Sequence, residues 1–289
     1  MKTSGKNRTT KTQTLSPALE SKYRKLQKIL EAMGSGLVAV SGGVDSSLLL
    51  AVAKEVLDDK LRAVIFTGPI FPSEEIKDAE RLCRRLRVKY EKFPSEYWRT
   101  EEFKKNEPER CYYCKMAMFS RLKDLAREYG LAQVMEGSNL DDDLDYRPGK
   151  KALAQLGIRS PLHEAGFRKN DIRRLAKFLG LRNWNLPSRA CLASRIPYYQ
   201  RIDLDRLSRI AEAEKLLLKA GFSQVRVRDH GEMARVEILP EEFKKFTAGT
   251  LKNHISRRLH RLGWKFVTLD LDGYRTGSLN LAISQKKKT

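Results

Sequence analysis

The chain has 289 residues, with 57 Lys and Arg against 36 Asp and Glu, a net charge of +21. Its 41% hydrophobic content is too high for a wholly disordered polymer. No apolar run approaches the ~20 residues that span a bilayer, and the mean hydropathy of −0.53 is that of a water-exposed chain. The charge is uneven. Lys2, Lys6, Arg8 and Lys11 at one end, with Lys286, Lys287 and Lys288 at the other, supply seven of the excess positive charges, and the acid-free stretch 243–269 supplies another seven. Such a balance fits an anionic partner, polymeric or small. The N-terminal stretch is basic but lacks the apolar segment of a secretory leader, so a cytoplasmic protein is expected.

Residues 1–16 read as a basic disordered tail. Over 19–33, Leu26, Leu30 and Met33 fall on one side of a predicted helix. Leu37 to Val40 form a short apolar run, as a strand buried on both faces should. A helix over 46–56 and a strand over 63–66 follow. Ser73 is the expected cap of the next helix, with Glu74 and Glu75 in its first turn. Ile76, Ala79, Leu82, Cys83 and Leu86 then recur at helical spacing, so Cys83 is expected to be a buried apolar residue. A helix over 116–128 and a strand over 133–135 continue the alternation. Strand and helix in turn predict an α/β domain over 17–186, with a parallel sheet covered on both faces. Composition shifts near Pro187 and Pro197, marking 187–201 as a linker. A helix over 204–219, β-like runs at 225–228 and 234–239, a basic helix over 251–262 and a strand over 265–271 predict a smaller α+β domain. That domain spans 202–284, and 285–289 is a second basic tail.

The most informative segment is Ser41-Gly42-Gly43-Val44-Asp45-Ser46-Ser47, between a predicted strand and a predicted helix. There backbone N–H groups and the helix dipole converge on an anion. The glycines allow a tight turn close to phosphate oxygens, and the serines add hydroxyl donors. No Lys follows the second glycine, which excludes the phosphate loop of kinases and GTPases. Downstream, Glu136-Gly137-Ser138-Asn139-Leu140-Asp141-Asp142-Asp143 follows the strand over 133–135. At the carboxyl end of a parallel strand it would face the same crevice, where Asn139 and Asp141 are candidate nucleotide contacts and the acids could hold Mg²⁺.

Of four cysteines, Cys111 and Cys114 form a Cys-x-x-Cys pair flanked by Arg110 and Lys115, and Cys191 lies between Arg189 and Arg195. Basic neighbours favour the thiolate, which is both nucleophile and metal ligand. Three thiolates suit a [4Fe–4S] cluster with one open iron better than a closed zinc site. A redox pair or half a zinc site also fits Cys-x-x-Cys alone.

The glycine-rich segment resembles the PP-loop, Ser-Gly-Gly-x-Asp-Ser, of the N-type ATP pyrophosphatases, which implies ATP cleaved between the α- and β-phosphates and an adenylylated acyl oxygen. Further stretches carry a closer likeness: RCYYCK at 110–115, the turn at 145–149, Arg159-Ser160-Pro161-Leu162, CLASRIPY at 191–198, RVRDHGEMARVEI at 226–238 and VTLDLDGYRTGSLN at 267–280. Over residues 19–282 the chain resembles the LarE family, ATP-dependent sulfur transferases of nickel-pincer nucleotide cofactor biosynthesis. The resemblance implies a PP-loop ATP pyrophosphatase fold and a pyridinium dicarboxylate mononucleotide substrate, one carboxylate being adenylylated and then converted to thiocarboxylate. Ser41, Gly42, Gly43, Val44, Asp45, Ser46 and Ser47 would cradle ATP with Mg²⁺, and Arg195 would face the sulfur-transfer site. Arg226 and Arg228, on one face of a strand, would bind the substrate phosphate, and Glu237 matches an acidic position with a weaker claim to metal. Trp98 would stack on a ring or pack internally.

The position of Cys191 is the one that gives up its sulfur in single-cysteine members. Cys111 and Cys114 resemble the branch in which three cysteines hold a [4Fe–4S] cluster, the sulfur coming from sulfide or a cysteine-derived donor. A homo-oligomer is implied, and nucleic acid is not the expected partner. Competing readings are a tRNA thiolation enzyme, motivated by the charge, and an amide-forming enzyme of the NAD-synthetase type, which would need no cluster.

Overall fold

The computed structural model describes residues 14–144, 148–186, 190–275 and 277–280. The expectations for Lys2, Lys6, Arg8, Lys11, the 145–147 turn, Arg189 and Lys286 to Lys288 lie outside them. In chain order the first half comprises α1 (Pro17–Met33), β1 (Gly36–Ala39), α2 (Val44–Leu57), β2 (Leu61–Thr67), α3 (Ser73–Leu86) and β3 (Lys89–Pro94). It continues with α4 (Glu101–Lys104), α5 (Arg110–Glu128), β4 (Gln133–Met135), α6 (Pro148–Gln155), α7 (Pro161–Glu164) and α8 (Lys169–Phe178).

The four strands form a parallel sheet in the order β3-β2-β1-β4. Alternate residues divide between its faces. Val38, Ala63 and Ile65 join one core with Leu26, Leu30, Leu48, Ile172 and Leu175. Leu37, Val64 and Phe66 join a second with Phe119, Leu122 and Val134. Cys83 is fully buried in the first, as its helical spacing requires.

Three local features differ from the sequence expectations. The strand β3, Lys-Tyr-Glu-Lys-Phe-Pro, was not foreseen because it lies at the sheet edge, where charged side chains replace an apolar run. Ser73 is the first residue of α3 and not its cap; Pro72 takes the cap position and no side chain bonds there. The helix α5 starts at Arg110, six residues before the expected position, so Cys111 and Cys114 are its second and fifth residues.

The second half comprises α9 (Leu204–Lys219), β5 (Val225–Asp229), β6 (Met233–Ile238), α10 (Phe243–Thr247), α11 (Gly249–Arg261) and β7 (Phe266–Leu269). Its sheet runs β5-β6-β7, the first pair antiparallel and the second parallel. Ile210, Leu217, Val227, Val236, Ile255 and Leu259 fill its core, together with Ile70 and Phe103 from the first half and Leu192 from the connecting segment. The two halves therefore share apolar packing at the place where Cys114 and Cys191 are found.

Candidate active site

The strand β1 has β2 on one side and β4 on the other, so the connections leave in opposite directions and open a crevice beyond its carboxyl end. A cavity of about 750 Å³ occupies that position. Ser41, Asp45 and Ser46 line one wall, and Glu136 to Asn139 another. Gly42 has φ +81°, and a Cβ there would lie 2.4 Å from the Glu75 carbonyl oxygen, so the turn accepts only glycine. Gly43 is the N-cap of α2, with no side-chain cap bond; the first turn of such a helix favours an anion. The Ser46 hydroxyl accepts from the Ser41 N–H at 3.1 Å and donates to the Gly43 carbonyl at 3.2 Å, tying the loop into a ring. Ser47 is fully buried behind the loop. The Asn183 amide donates to both the Ser47 hydroxyl (2.8 Å) and the Gly42 carbonyl (2.9 Å).

Asp45 bonds the Lys169 ammonium from the start of α8, and the Asn139 amide donates to its other oxygen at 3.4 Å. Burial pushes its carboxyl above the usual range, Lys169 opposes that shift, and the neighbouring charge of Asp142 adds to it. Asp141 also lines the cavity, but its oxygens accept from the Lys169 N–H (2.8 Å) and the Arg168 guanidinium (2.9 Å), fixing the start of α8. Gly137 brings β4 against the loop: a Cβ there would lie 2.8 Å from the Ser46 nitrogen.

The three candidate thiols are near enough to interact electrostatically, and one of them, Cys114, adjoins this cavity through Met118. Cys111 and Cys114, three apart on α5, share a helix face. The Cys114 sulfur is 3.6 Å from that of Met118, and Met118 lines this cavity. Arg110 is buried; its guanidinium donates to the Asn106 side chain and, at 3.3 Å, to the Ala193 carbonyl. It also reaches the Cys111 sulfur at 3.8 Å. Asn106 in turn donates to the carbonyls of Ile196, Pro197 and Gln200 at 3.2, 2.8 and 3.1 Å, stapling the segment after Cys191 to the start of α5.

The thiols influence one another electrostatically. Burial and the charges of Cys191 and Cys111 push the Cys114 thiol up to about 12, and burial likewise raises Cys191 against the pull of Arg110. The expectation that basic neighbours would favour thiolate is therefore reversed for these two, because desolvation outweighs the flanking cations. Among the described residues no three His, Cys, Asp or Glu side chains are gathered as a ready metal cage.

Arg195 is fully buried and clamps Glu214 with two bonds of 2.8 and 2.9 Å. Its remaining donors hold the carbonyls of Ala190 (2.6 Å) and Cys191 (3.1 Å). Arg195 thus fixes the backbone that carries Cys191. Arg228 pairs with both oxygens of Glu237 (2.9 and 3.0 Å) and donates to the Ser194 carbonyl and the Ser278 hydroxyl. Arg226 lies over the Tyr274 ring at 5.3 Å, and Tyr274 lines the cavity at the end of β1. Burial and the nearby charge of Arg195 lower Arg226 to about 10. Trp98 is half-buried against the shared core, with Arg99 over its ring at 5.2 Å.

Comparison with known proteins matches these features to a family. The NAD synthase family matches residues 18–133. The pyridinium-3,5-bisthiocarboxylic acid mononucleotide synthase of Lactiplantibacillus plantarum is 38% identical over 268 residues, covering 92% of this chain and 96% of that protein. The chain belongs to the LarE family. An uncharacterized Synechocystis protein, slr1717, is 35% identical over 92% of this chain and all of its own length. The Methanocaldococcus jannaschii protein MJ0830, also uncharacterized, is 30% identical over 83% of the chain and 90% of its own length.

Within this LarE-family chain, sequence reasoning overlooked Asn106, Lys169, Asn183 and Glu214. Each acts through a partner distant in sequence, so no local motif announces it. Asn106 and Arg110 stand four apart in sequence, but Asn106 lies before α5 with φ +57°, so no helical periodicity links them. Among the described residues no helix is long and apolar enough to cross a membrane.

Proposed function

We propose that the chain is an ATP-dependent sulfur transferase that acts on pyridinium-3,5-biscarboxylic acid mononucleotide in nickel-pincer nucleotide cofactor biosynthesis. A substrate carboxylate oxygen attacks the α-phosphorus of ATP and pyrophosphate leaves. Sulfur then attacks the acyl carbon of the mixed anhydride and AMP leaves, giving the thiocarboxylate. One observation carries this reading: Cys114 touches Met118, a wall residue of the nucleotide cavity, so sulfur chemistry and acyl activation are contiguous. The loop over 41–46 and the start of α2 would hold the phosphates, Asn139 would contact the nucleotide, and Asp45 with its neighbour Asp142 would hold Mg²⁺.

Arg226 and Arg228 would receive the substrate phosphate; an anion there would relieve the crowding of positive charge that lowers Arg226. Arg228 would also brace Ser194 and Ser278. Glu237 is engaged by Arg228 and by Arg235 at 3.2 Å, so any metal there would have to displace them.

By residue type Cys111, Cys114 and Cys191 are an all-sulfur donor set, which suits iron, but they are not gathered as a ready cage, so the thiols would have to draw together on it. They would hold a [4Fe–4S] cluster, whose open iron would supply sulfide and allow repeated turnover. A sulfide or cysteine-derived donor, a homo-oligomeric state and a cytoplasmic location belong to the same reading. The test is anaerobic incubation of the reconstituted protein with Mg-ATP, sulfide and the mononucleotide. AMP, pyrophosphate and a product carrying sulfur for oxygen are expected, together with about four iron per chain. A colourless protein that loses H₂S from Cys191 after one turnover would replace the cluster with sacrificial chemistry. Full activity of Cys191→Ala would overturn sulfur transfer altogether.

A further inference from the structure

The acid-free stretch 243–269 has no part in the chemistry above, and the structure shows where its charge goes. Ile255 and Leu259 anchor α11 in the second-half core, leaving Lys252, Arg257, Arg258 and Arg261 exposed. Beside it, α9 turns Glu214 inward to Arg195 and presents Lys215 and Lys219 outward. Between the two helices lies a groove of about 260 Å³, with Leu216 and Leu262 in its wall, and four cations, Lys215, Lys219, Arg258 and Arg261, against one acid, Glu212, around it.

Only Lys215 of these four has a carboxylate within ion-pair distance among the described residues, Glu212 at 3.5 Å. Like charges gathered around one groove repel, and an anionic partner removes that repulsion. The nucleotide cavity shares no lining residue with this groove.

The chemistry of the face selects among anionic partners. A docked protein is anchored by apolar or aromatic side chains at the centre of the contact, and none of the exposed large hydrophobic residues lies on α11 or on the Lys215–Lys219 turn of α9. A membrane-surface helix needs such residues as well. Single-stranded nucleic acid needs aromatic platforms, which this face also lacks. A row of cations without anchors matches a regular phosphate backbone. Arg257, Arg258 and Arg261 fall within about 100° of one another around α11 and span about 6 Å of its length, over which a duplex presents roughly three to four phosphates.

We infer that the α9–α11 groove and the outer face of α11 bind the phosphate backbone of duplex nucleic acid without reading its sequence. The surface is independent of the proposed sulfur transfer, so either can fail alone. The sequence reading set nucleic acid aside because much of the charge lies at the chain ends; folding gathers a further part of it on two adjacent helices.

The test is fluorescence anisotropy of the full chain with labelled RNA and DNA duplexes of arbitrary sequence, titrated with salt. Single strands of the same sequence and poly-glutamate serve as competitors. The double variant Arg258→Glu/Arg261→Glu should weaken duplex binding at least ~10-fold and reduce the salt slope by about two. The neutral pair Arg258→Gln/Arg261→Gln should lie between it and the unaltered chain, and all three should melt alike. A tail variant, Lys6→Glu/Arg8→Glu, should retain the groove-dependent difference. Unchanged affinity and slope in the double reversal would overturn the inference, as would poly-glutamate or single strands competing as well as duplex.

Discussion

Glu214→Ala is the sharpest perturbation of the site. Glu214 and Arg195 are both buried and share two hydrogen bonds. Removing one partner of such a pair strands a desolvated charge, at a cost of about 3–5 kcal/mol. The Val227 N–H, which donates to Glu214 at 3.0 Å, also loses its acceptor, adding roughly 1 kcal/mol or more. At about 2–4 °C per kcal/mol for a chain of this size class, the ion-pair loss alone should lower the melting temperature by roughly 6–20 °C. Because Arg195 also holds the carbonyls of Ala190 and Cys191, alkylation of Cys191 should accelerate well below the melting temperature. The pair Arg195→Met/Glu214→Leu separates stability from function. It removes both charges, so most of the stability should return, while sulfur transfer stays low because the Cys191 backbone has lost its clamp. Calorimetry and timed thiol labelling measure both effects. The reasoning is refuted if Glu214→Ala melts within about 2 °C of the unaltered chain, or if the double variant is no more stable than the single one.

Acid should act on the same pair. Burial works to raise the Glu214 carboxyl, but Arg195 outweighs it and holds the folded group below its ordinary 4.5. Its contribution is then complete above that value and lost as pH falls through the folded pKa, so Glu214→Gln should flatten the acid limb of the stability profile. Cys114, raised to about 12 from 9.0, has the opposite sign: its stabilisation is present below pH 9 and fades as pH rises toward 12. In the metal-free protein its alkylation rate should climb throughout that interval, as mass-spectrometric labelling would show. Gly137→Ala places a methyl 2.8 Å from the Ser46 nitrogen and should cost about 1–3 kcal/mol, with pyrophosphate–ATP exchange falling more than the circular dichroism changes. Lys169→Met removes the cation that opposes the raised pKa of Asp45. Mg-ATP affinity by titration calorimetry should drop about tenfold, or ~1.4 kcal/mol, and Lys169→Arg should restore most of it.

The parallel sheet and the glycine-rich turn after β1 were legible because their signals are local. Apolar runs mark β1 and β2, and Ser41, Gly42 and Gly43 stand between β1 and α2, whose first turn brings Ser46 and Ser47. The edge strand β3 was hidden for the opposite reason, since exposure permits charge where pattern reading expects apolar residues. The candidate thiols were also visible as residues, but their ionisation was not. Arg110 and Lys115 flank them in sequence, whereas the burial that raises Cys114 comes from packing with the second half of the chain. Likewise Arg195 was expected to face the sulfur-transfer site, whereas its buried pairing with Glu214 on α9, nineteen residues away, has no local signal.

On the proposed function, α5 would make two chemistries one site. Its first five residues carry Cys111 and Cys114; Lys115, Met118 and Phe119, which follow directly, line the cavity. A turn rises about 5.4 Å, so a rigid helix would hold sulfur within reach of a carbonyl activated there. Its start is fastened from the other side, where Arg110 and Asn106 bind carbonyls of the segment that brings Cys191 in. Asn106→Ala would therefore leave the phosphate loop intact and loosen only the junction. Pyrophosphate exchange should persist while thiocarboxylate formation falls, a split that a simple loss of folding cannot produce. Equal loss of both activities would mean that α5 does not couple the two halves in this way.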